Sequence, residues 1–513
     1  MTRACLAVLA FCCAGASSQT RPQPPTPAEP PPRAQSRPAA GIENAGEPAE
    51  PPSDAEAATT AATEKLVGPT PGAPTLSLAA AVRQALERSY GLLDSRDAVA
   101  GARWQEKAAF AAFLPRVNPL YQHSDLSTVW GVDLSQSLPW SGATLSANGQ
   151  YTNQPQAPTP YAKTAALQLL LTQPLLRGFG PNATFFDLRN ARRARQGQER
   201  GLALLRQRTA IDVARAFYDV IAFRQLLEVA RQSLARTEAL LRSSNARLEV
   251  GMASKLDVFR AELQASQARE AMVRSETSLA TALERFRGTL ALPPDDPVEP
   301  EAAPLPSPDA SLGEPLQALV RRALETRLEL HEVRDQVDDA RRAASLAKQN
   351  LLPELDLNLA VTRYGVGGSW GDAWSASDHR VQFYLSASYP IQPYAQRAAS
   401  AVAEIQVGGR ERSVRQREIE VEQEVRQAAR ELEQIRKSVE LQQKAVEVAA
   451  QQRRLAVLRY QRGLGSNFDV VDAEGSLVTA RSALVQLLTS WAVARLELER
   501  ASGVLDVDAE FAP

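Results

Sequence analysis

The sequence predicts a mainly α-helical chain with a smaller β portion, built twice from long helical hairpins. Three observations predict it. Arg247, Gly251, Ser254, Asp257, Val258 and Ala261 recur as Arg459, Gly463, Ser466, Asp469, Val470 and Ala473, always 212 residues further on. Each copy lies where one very long helical pattern stops and another starts, so each reads as the tip of a helix-turn-helix. Two stretches, about 116–174 and 354–391, lose the helical period and alternate apolar with polar residues, as half-buried strands do.

Composition narrows the classes of function. A formal charge of −1 over 513 residues leaves no basic surface for nucleic acid. Aromatic residues are only 6% of the chain, which suits long helices better than a large mixed core. The three cysteines, Cys5, Cys12 and Cys13, all fall in residues 1–16. That stretch reads as a signal peptide, with Arg3, an apolar run over 6–11, and small residues at Ala14, Gly15 and Ala16. Lipid attachment at Cys12 or Cys13 is the alternative, against which Phe11 is bulky for the position before a lipidated cysteine. Residues 17–74 hold 14 of the 34 prolines and read as a disordered linker, too poor in apolar side chains to fold. No later run of 18 apolar residues exists, so no membrane-spanning helix is expected.

The elements then follow in order. Short helices are expected over about 76–90 and 93–113, ending at Leu114 and Pro115. Strands occupy 116–174, the strongest over 165–173, with room for an additional hairpin at about 128–150. Asn182 is a plausible N-cap for a helix running to about Val250, roughly 100 Å at 1.5 Å per residue. The tip 251–254 leads to a helix over 255–292, and residues 293–313 form a Pro-rich acidic connector. The second half, 314–503, repeats the order: helices 314–327 and 329–351, the break at Leu352 and Pro353, strands 355–364 and 380–389, a helix 396–462, the tip 463–466 and a helix 467–502. Residues 504–513 are a short C-terminal tail. Pro115, Pro174, Pro353 and Pro390 mark the four helix–strand junctions, because proline ends helical hydrogen bonding and redirects the chain.

The helices carry a packing seam. Val421, Val425, Ala428, Leu432, Ile435 and Val439 step by four and three residues, and Val213, Phe217, Val220, Leu227 and Leu234 fit the same register. Summed helix lengths let two stacked shorter helices run beside each long one. Neither portion is complete alone. Two pairs of strands leave open edges that a bilayer does not tolerate, and two hairpins leave one face of the seam without a partner. A closed ring of copies repairs both faults.

The leader, the doubled order of helix, strands, long helix, tip and helix, the Gly-x-x-Ser-x-x-Asp-Val tips, and the segment from Gln173 and Pro174 to Gly180 together resemble the TolC-like outer-membrane efflux protein family over about residues 75–503. The resemblance implies a homotrimer in which each chain gives four strands to a shared 12-stranded transmembrane β-barrel. Its helices would form a periplasmic α-barrel. It implies an outer-membrane exit duct of a tripartite efflux pump or type I secretion system, set in outer-membrane lipid with a large periplasmic part. The partners implied are a periplasmic adaptor and, through it, an inner-membrane transporter. A periplasmic coiled-coil adaptor or scaffold is the alternative, but such proteins carry a lipoyl-like β module between their helices, and these strand blocks do not read as one.

Candidate functional residues gather at the tips. By the resemblance, Asp469 and Asp472 stand where family members narrow the periplasmic entrance with carboxylates, and Tyr460 matches a tyrosine of the gate. The arginine that often follows the tip glycine is Gly465 here, so Arg459 or Arg462 would have to replace it. Read from spacing alone, Ser254 with Asp257 and Ser466 with Asp469 are capping boxes, which leaves Asp472 without that explanation. Gly251 and Gly463 suit the reversed backbone of a helix end. Val250, Gly251, Met252 and Ser254, with Gly463, Leu464, Ser466 and Phe468, form the surfaces expected to meet the adaptor. His123, His331 and His379 lack ligand spacing, and no phosphate loop, nucleophile elbow or acid pair is present. The sequence therefore reads as a channel and not an enzyme, with no cofactor or metal.

Overall fold

The computed structural model describes residues 74–157, 163–301, 303–308, 314–375 and 378–511. The leader and, but for Pro74, the linker lie outside them, as does the lipid-attachment alternative. The chain begins with β1 (Thr75–Leu76), α1 (Leu78–Arg88), α2 (Tyr90–Ala111) and four strands: β2 (Arg116–His123), β3 (Thr128–Ser137), β4 (Thr144–Asn153) and β5 (Lys163–Pro174). There follow α3 (Pro181–Thr184), α4 (Phe186–Glu249), α5 (Lys255–Thr289) and β6 (Glu299–Pro300). The second half holds α6 (Leu316–Thr326), α7 (Leu328–Gln349), β7 (Glu354–Gly367), α8 (Trp370–Ser375), β8 (Asp378–Ser388), α9 (Tyr394–Gln461), α10 (Asn467–Ala501) and α11 (Val507–Glu510).

Both long helices and both tips lie where the repeat puts them. α4 has 64 residues and α9 has 68. Each is flanked by two shorter helices: α4 by α2 and α5, and α9 by α7 and α10. The seam is real, with Val213, Val220, Val421, Val425 and Val439 fully buried. Helix α10 is long and apolar enough to cross a membrane by length and composition, yet it packs along α9 and α4. Its apolar side chains, such as Leu477 and Leu496, belong to that packing.

Several boundaries differ from expectation. Asn182 is no N-cap: Gly180 caps a single turn opened by Pro181, the chain breaks at Phe185, and α4 starts there. The connector is not mere linker, because β6 pairs in parallel with β1 and Leu305 is buried. The tail is folded too, since α11 lies on α4 with Val507 and Phe511 buried.

The largest difference is in the sheet. It has six strands in the order β2-β3-β4-β5-β7-β8, all antiparallel, against the four per chain implied by the resemblance. The hairpin left open at about 128–150 is β3 and β4, inserted between β2 and β5. Within this one chain the sheet is open, and β2 and β8 are exposed along their whole length. The four junction prolines stand at its helix-side rim: Pro115 before β2, Pro174 closing β5, Pro353 before β7 and Pro390 just past β8. No lipoyl-like module interrupts the hairpins among the described residues.

At the turn between α6 and α7, Arg327 is 3% exposed. It donates to Glu329 at 2.8 Å and also to Glu424 of α9. Burial alone would raise the Glu329 pKa, but the Arg327 hydrogen bonds and charge overcome it and hold the carboxyl below its usual range. Arg327→Ala strips this buried cluster of its cation and is expected to cost about 3 kcal/mol, as for other broken buried pairs. It should be read as a lower melting temperature of the purified protein. Because the Glu329 pKa is depressed on folding, its share of this stability is present above the ordinary glutamate pKa. It fades as pH falls through the lowered value, so the gap between wild type and variant should narrow on acidification.

Candidate functional site at the helical tips

Each tip is a helix stop followed at once by a helix start. After α4 the N–H of Gly251 donates to Leu248 O at 3.0 Å and that of Met252 to Arg247 O at 2.7 Å. After α9 the N–H of Gly463 donates to Tyr460 O at 3.0 Å and that of Leu464 to Arg459 O at 2.9 Å. This pair of bonds is a Schellman motif, and it needs the left-handed glycine found at φ 74° in Gly251 and 71° in Gly463. Three residues later come the capping boxes. Ser254 and Ser466 accept from the N–H of Asp257 and Asp469, each at 3.2 Å. The two carboxylates accept in return from the serine N–H groups at 3.2 and 2.9 Å. A negative charge in the first turn also suits the helix dipole.

Between the tips lies a buried polar cluster. The hydroxyls of Tyr460 on α9 and Ser244 on α4 are 3.1 Å apart. Arg247, one turn further along α4, donates to the backbone oxygens of Tyr460 at 2.8 Å and Gln461 at 3.1 Å. Its guanidinium also sits 4.2 Å from the centre of the Tyr460 ring. Asn467 opens α10 and is 1% exposed. Its amide donates to Asp257 O at 2.7 Å and Ser244 Oγ at 3.3 Å, while its own oxygen is buried without a partner. A second tie lies two turns deeper, where Arg236 of α4 donates to the buried Glu474 of α10 at 2.8 and 3.0 Å. The two hairpins are thereby cross-linked by hydrogen bonds within one chain.

Of the residues singled out in the sequence, Tyr460 stands at the centre of this cluster. The arginine on it is Arg247 of the other hairpin, not Arg459 or Arg462. Asp469 and Asp472 lie outside it, exposed and one helical turn apart on α10. Asp472 makes no hydrogen bond or ion pair among the described residues. Leu464 is 70% exposed, and Val250, Met252 and Phe468 are exposed beside it, so both tips present apolar side chains to solvent. Ser244, Arg236, Asn467 and Glu474 escape sequence reading because polar residues on a helix face look alike until the partner helix is placed. Arg247 could have been found, since it is one of the repeated residues.

A sequence profile described as outer membrane efflux protein matches residues 81–291 and 319–504. The chain belongs to that family. Solved structures share its fold at low identity. The outer-membrane channel OprN superposes with a TM-score of 0.66 at 16% identity, over 83% of this chain and 90% of that one. VceC from Vibrio cholerae gives 0.64 at 16% identity, over 83% and 96%. The open state of the Neisseria gonorrhoeae MtrE channel gives 0.60 at 18% identity, over 83% and 89%. No curated protein sequence matches. As a member of this family of channel proteins, the chain is an outer-membrane efflux channel with a large periplasmic part.

The tips should be locally fragile to single changes. Ser466→Ala removes a cap worth about 1 kcal/mol, and Gly463→Ala forces a left-handed alanine at a cost of about 1–2 kcal/mol. Hydrogen exchange at the amides of 464–470 should quicken about fivefold or more in either variant, with the sheet and the outer-membrane half of the helices unchanged.

Proposed function

We propose that three copies form the exit duct of a tripartite efflux pump or type I secretion system. They would conduct substrates passively from an inner-membrane transporter and its periplasmic adaptor to the outside. The observation that carries this reading is the pair of unequal tips tied by Tyr460, Ser244, Arg247 and Asn467. A tie between the hairpins of one chain holds the narrow end of a ring shut, and its release lets each C-terminal hairpin swing outward. The adaptor is the natural agent of release. It would dock on the exposed apolar residues Val250, Met252, Leu464 and Phe468, with Gly251, Gly463, Ser254 and Ser466 shaping the turns beneath them. Asp469 and Asp472 would then line the entrance, where three copies of each gather negative charge and attract cations. The capping role of Asp469 is compatible with this, because only one of its carboxylate oxygens serves the cap.

Recordings from the full-length protein in planar bilayers test the reading. Wild type should give a small conductance. Tyr460→Phe combined with Arg247→Ala removes one neutral and two charge-assisted hydrogen bonds, about 1 and 1.5–3 kcal/mol respectively. Open probability or conductance should rise at least tenfold. A soluble monomer without conductance would defeat the channel itself, and an unchanged conductance would remove these residues from the gate.

Asp469→Ala with Asp472→Ala should weaken block of the conductance by multivalent cations by about tenfold or more, since a concentrated ring of charge would be lost. Block of undiminished strength would place both carboxylates outside the lumen.

A further inference from the structure

The sheet carries one inference that departs from the strand count implied by the resemblance. Follow two neighbouring rows of paired residues across all six strands. One row reads Val117, Leu134, Ala147, Leu169, Val361, Val381. The next reads Asn118, Asp133, Asn148, Gln168, Thr362, Arg380. Adjacent rows point to opposite faces, so along these rows one face of the sheet is apolar and the other polar, from edge to edge; the next row of the apolar face ends in Arg363 and His379. β3 and β4 keep this pattern without a slip. A hairpin that merely decorated a barrel would have no reason to match it, since shifting by one residue inverts every side chain.

The hairpin is also built into the wall at its helix-side turn. Gly142 lies so close to Gly178 that a Cβ would come within 2.6 Å of its carbonyl oxygen. Gln173 donates to Ser141 O at 3.2 Å, and the Trp140 ring meets Phe185 edge to face at 5.5 Å. On the polar face Asn148 donates to Asp133 within the hairpin. Thr172, Asn358 and Ser386 continue in the same manner across β5, β7 and β8 at 2.9 Å per link.

We propose that the closed barrel holds eighteen strands, six from each of three copies, with β8 of one copy pairing with β2 of the next. This rests on the trimeric channel reading above. The occupant of each open edge is a second copy of this chain. Six is even, so β2 and β8 run antiparallel to one another and closure preserves the alternation throughout. Both edges are exposed over their full length, a state that hydrocarbon does not permit. Size agrees as well. Strands spaced roughly 4.8 Å apart and tilted by roughly 40° take about 6 Å of circumference each. Eighteen therefore span about 110 Å and twelve about 75 Å. Each chain supplies four helical columns: α4, α9, and the stacked pairs α2 with α5 and α7 with α10. Twelve columns spaced roughly 8–10 Å apart span about 95–120 Å. The span of an eighteen-stranded wall falls within that range.

Electron cryomicroscopy of the full-length protein in lipid nanodiscs tests this by counting strands around the barrel. Eighteen is expected. A trimer with twelve strands and the 128–153 segment outside the wall would overturn the proposal and leave the channel reading standing, whereas a monomer would overturn both. Cysteine pairs give a second measurement in trimers confirmed on native gels. Val117→Cys with Leu134→Cys should lose its free thiols to a disulfide under mild oxidation. Val117→Cys with Leu171→Cys should keep them, because β2 and β5 are about 14 Å apart across two intervening strands. The reverse outcome would mean that β2 closes directly on β5.

Discussion

The backbone hydrogen bonds of a sheet edge govern this protein. β2 and β8 expose rows of N–H and C=O groups, and an outer membrane offers them no water. In the proposed trimer each row is met by a neighbouring copy, and everything below the membrane would inherit that ring. The long helices would stand around it, each flanked by two shorter ones, and the seam of Val421 and Val425 packs α9 against α6, α7 and α10. On that reading the helical tunnel and the strand wall are two answers to one closure problem.

Duplication then supplies economy, and divergence supplies control. The two tips share their glycine, serine and aspartate because both must reverse a helix in four residues. They differ where the repeat places Leu248 against Tyr460, Lys255 against Asn467, and Arg260 against Asp472. The second tip thus gained the aromatic and the amide that grip the first hairpin, while the first supplies Ser244 and Arg247 to be gripped. Neither tip could form this cluster with a copy of itself.

Much of this was legible in the sequence. The 212-residue repeat located both tips to the residue, and the valine seam fixed which faces of α4 and α9 are buried. The prolines marked each change from helix to strand. What escaped was what depends on partners distant in sequence. The place of the hairpin at about 128–150 stayed open because β4 is a polar, glycine-bearing segment whose alternation is weak when read alone. It becomes plain only in rows, with Leu134 beside Ala147 and Leu169. Asn182 looked like a cap by residue type, but Gly180 and Pro181 had already turned the chain. The arginine of the tip cluster was sought near Tyr460 in sequence and stands 213 residues away.

The carbonyl groups gripped by Arg247 belong to Tyr460 and Gln461, in the last turn of α9. Tyr460 O also takes the Gly463 N–H of the Schellman turn, whereas Gln461 O has no partner within its own helix. One hairpin therefore finishes the other's helix, and parting them leaves Gln461 O bare. Water can fill that vacancy, and so can a hydrogen-bond donor carried by whatever approaches the tip. In the proposed gate, opening is in this sense an exchange of donors, and a visitor that offers one to Gln461 O would compete with Arg247 for the closed state.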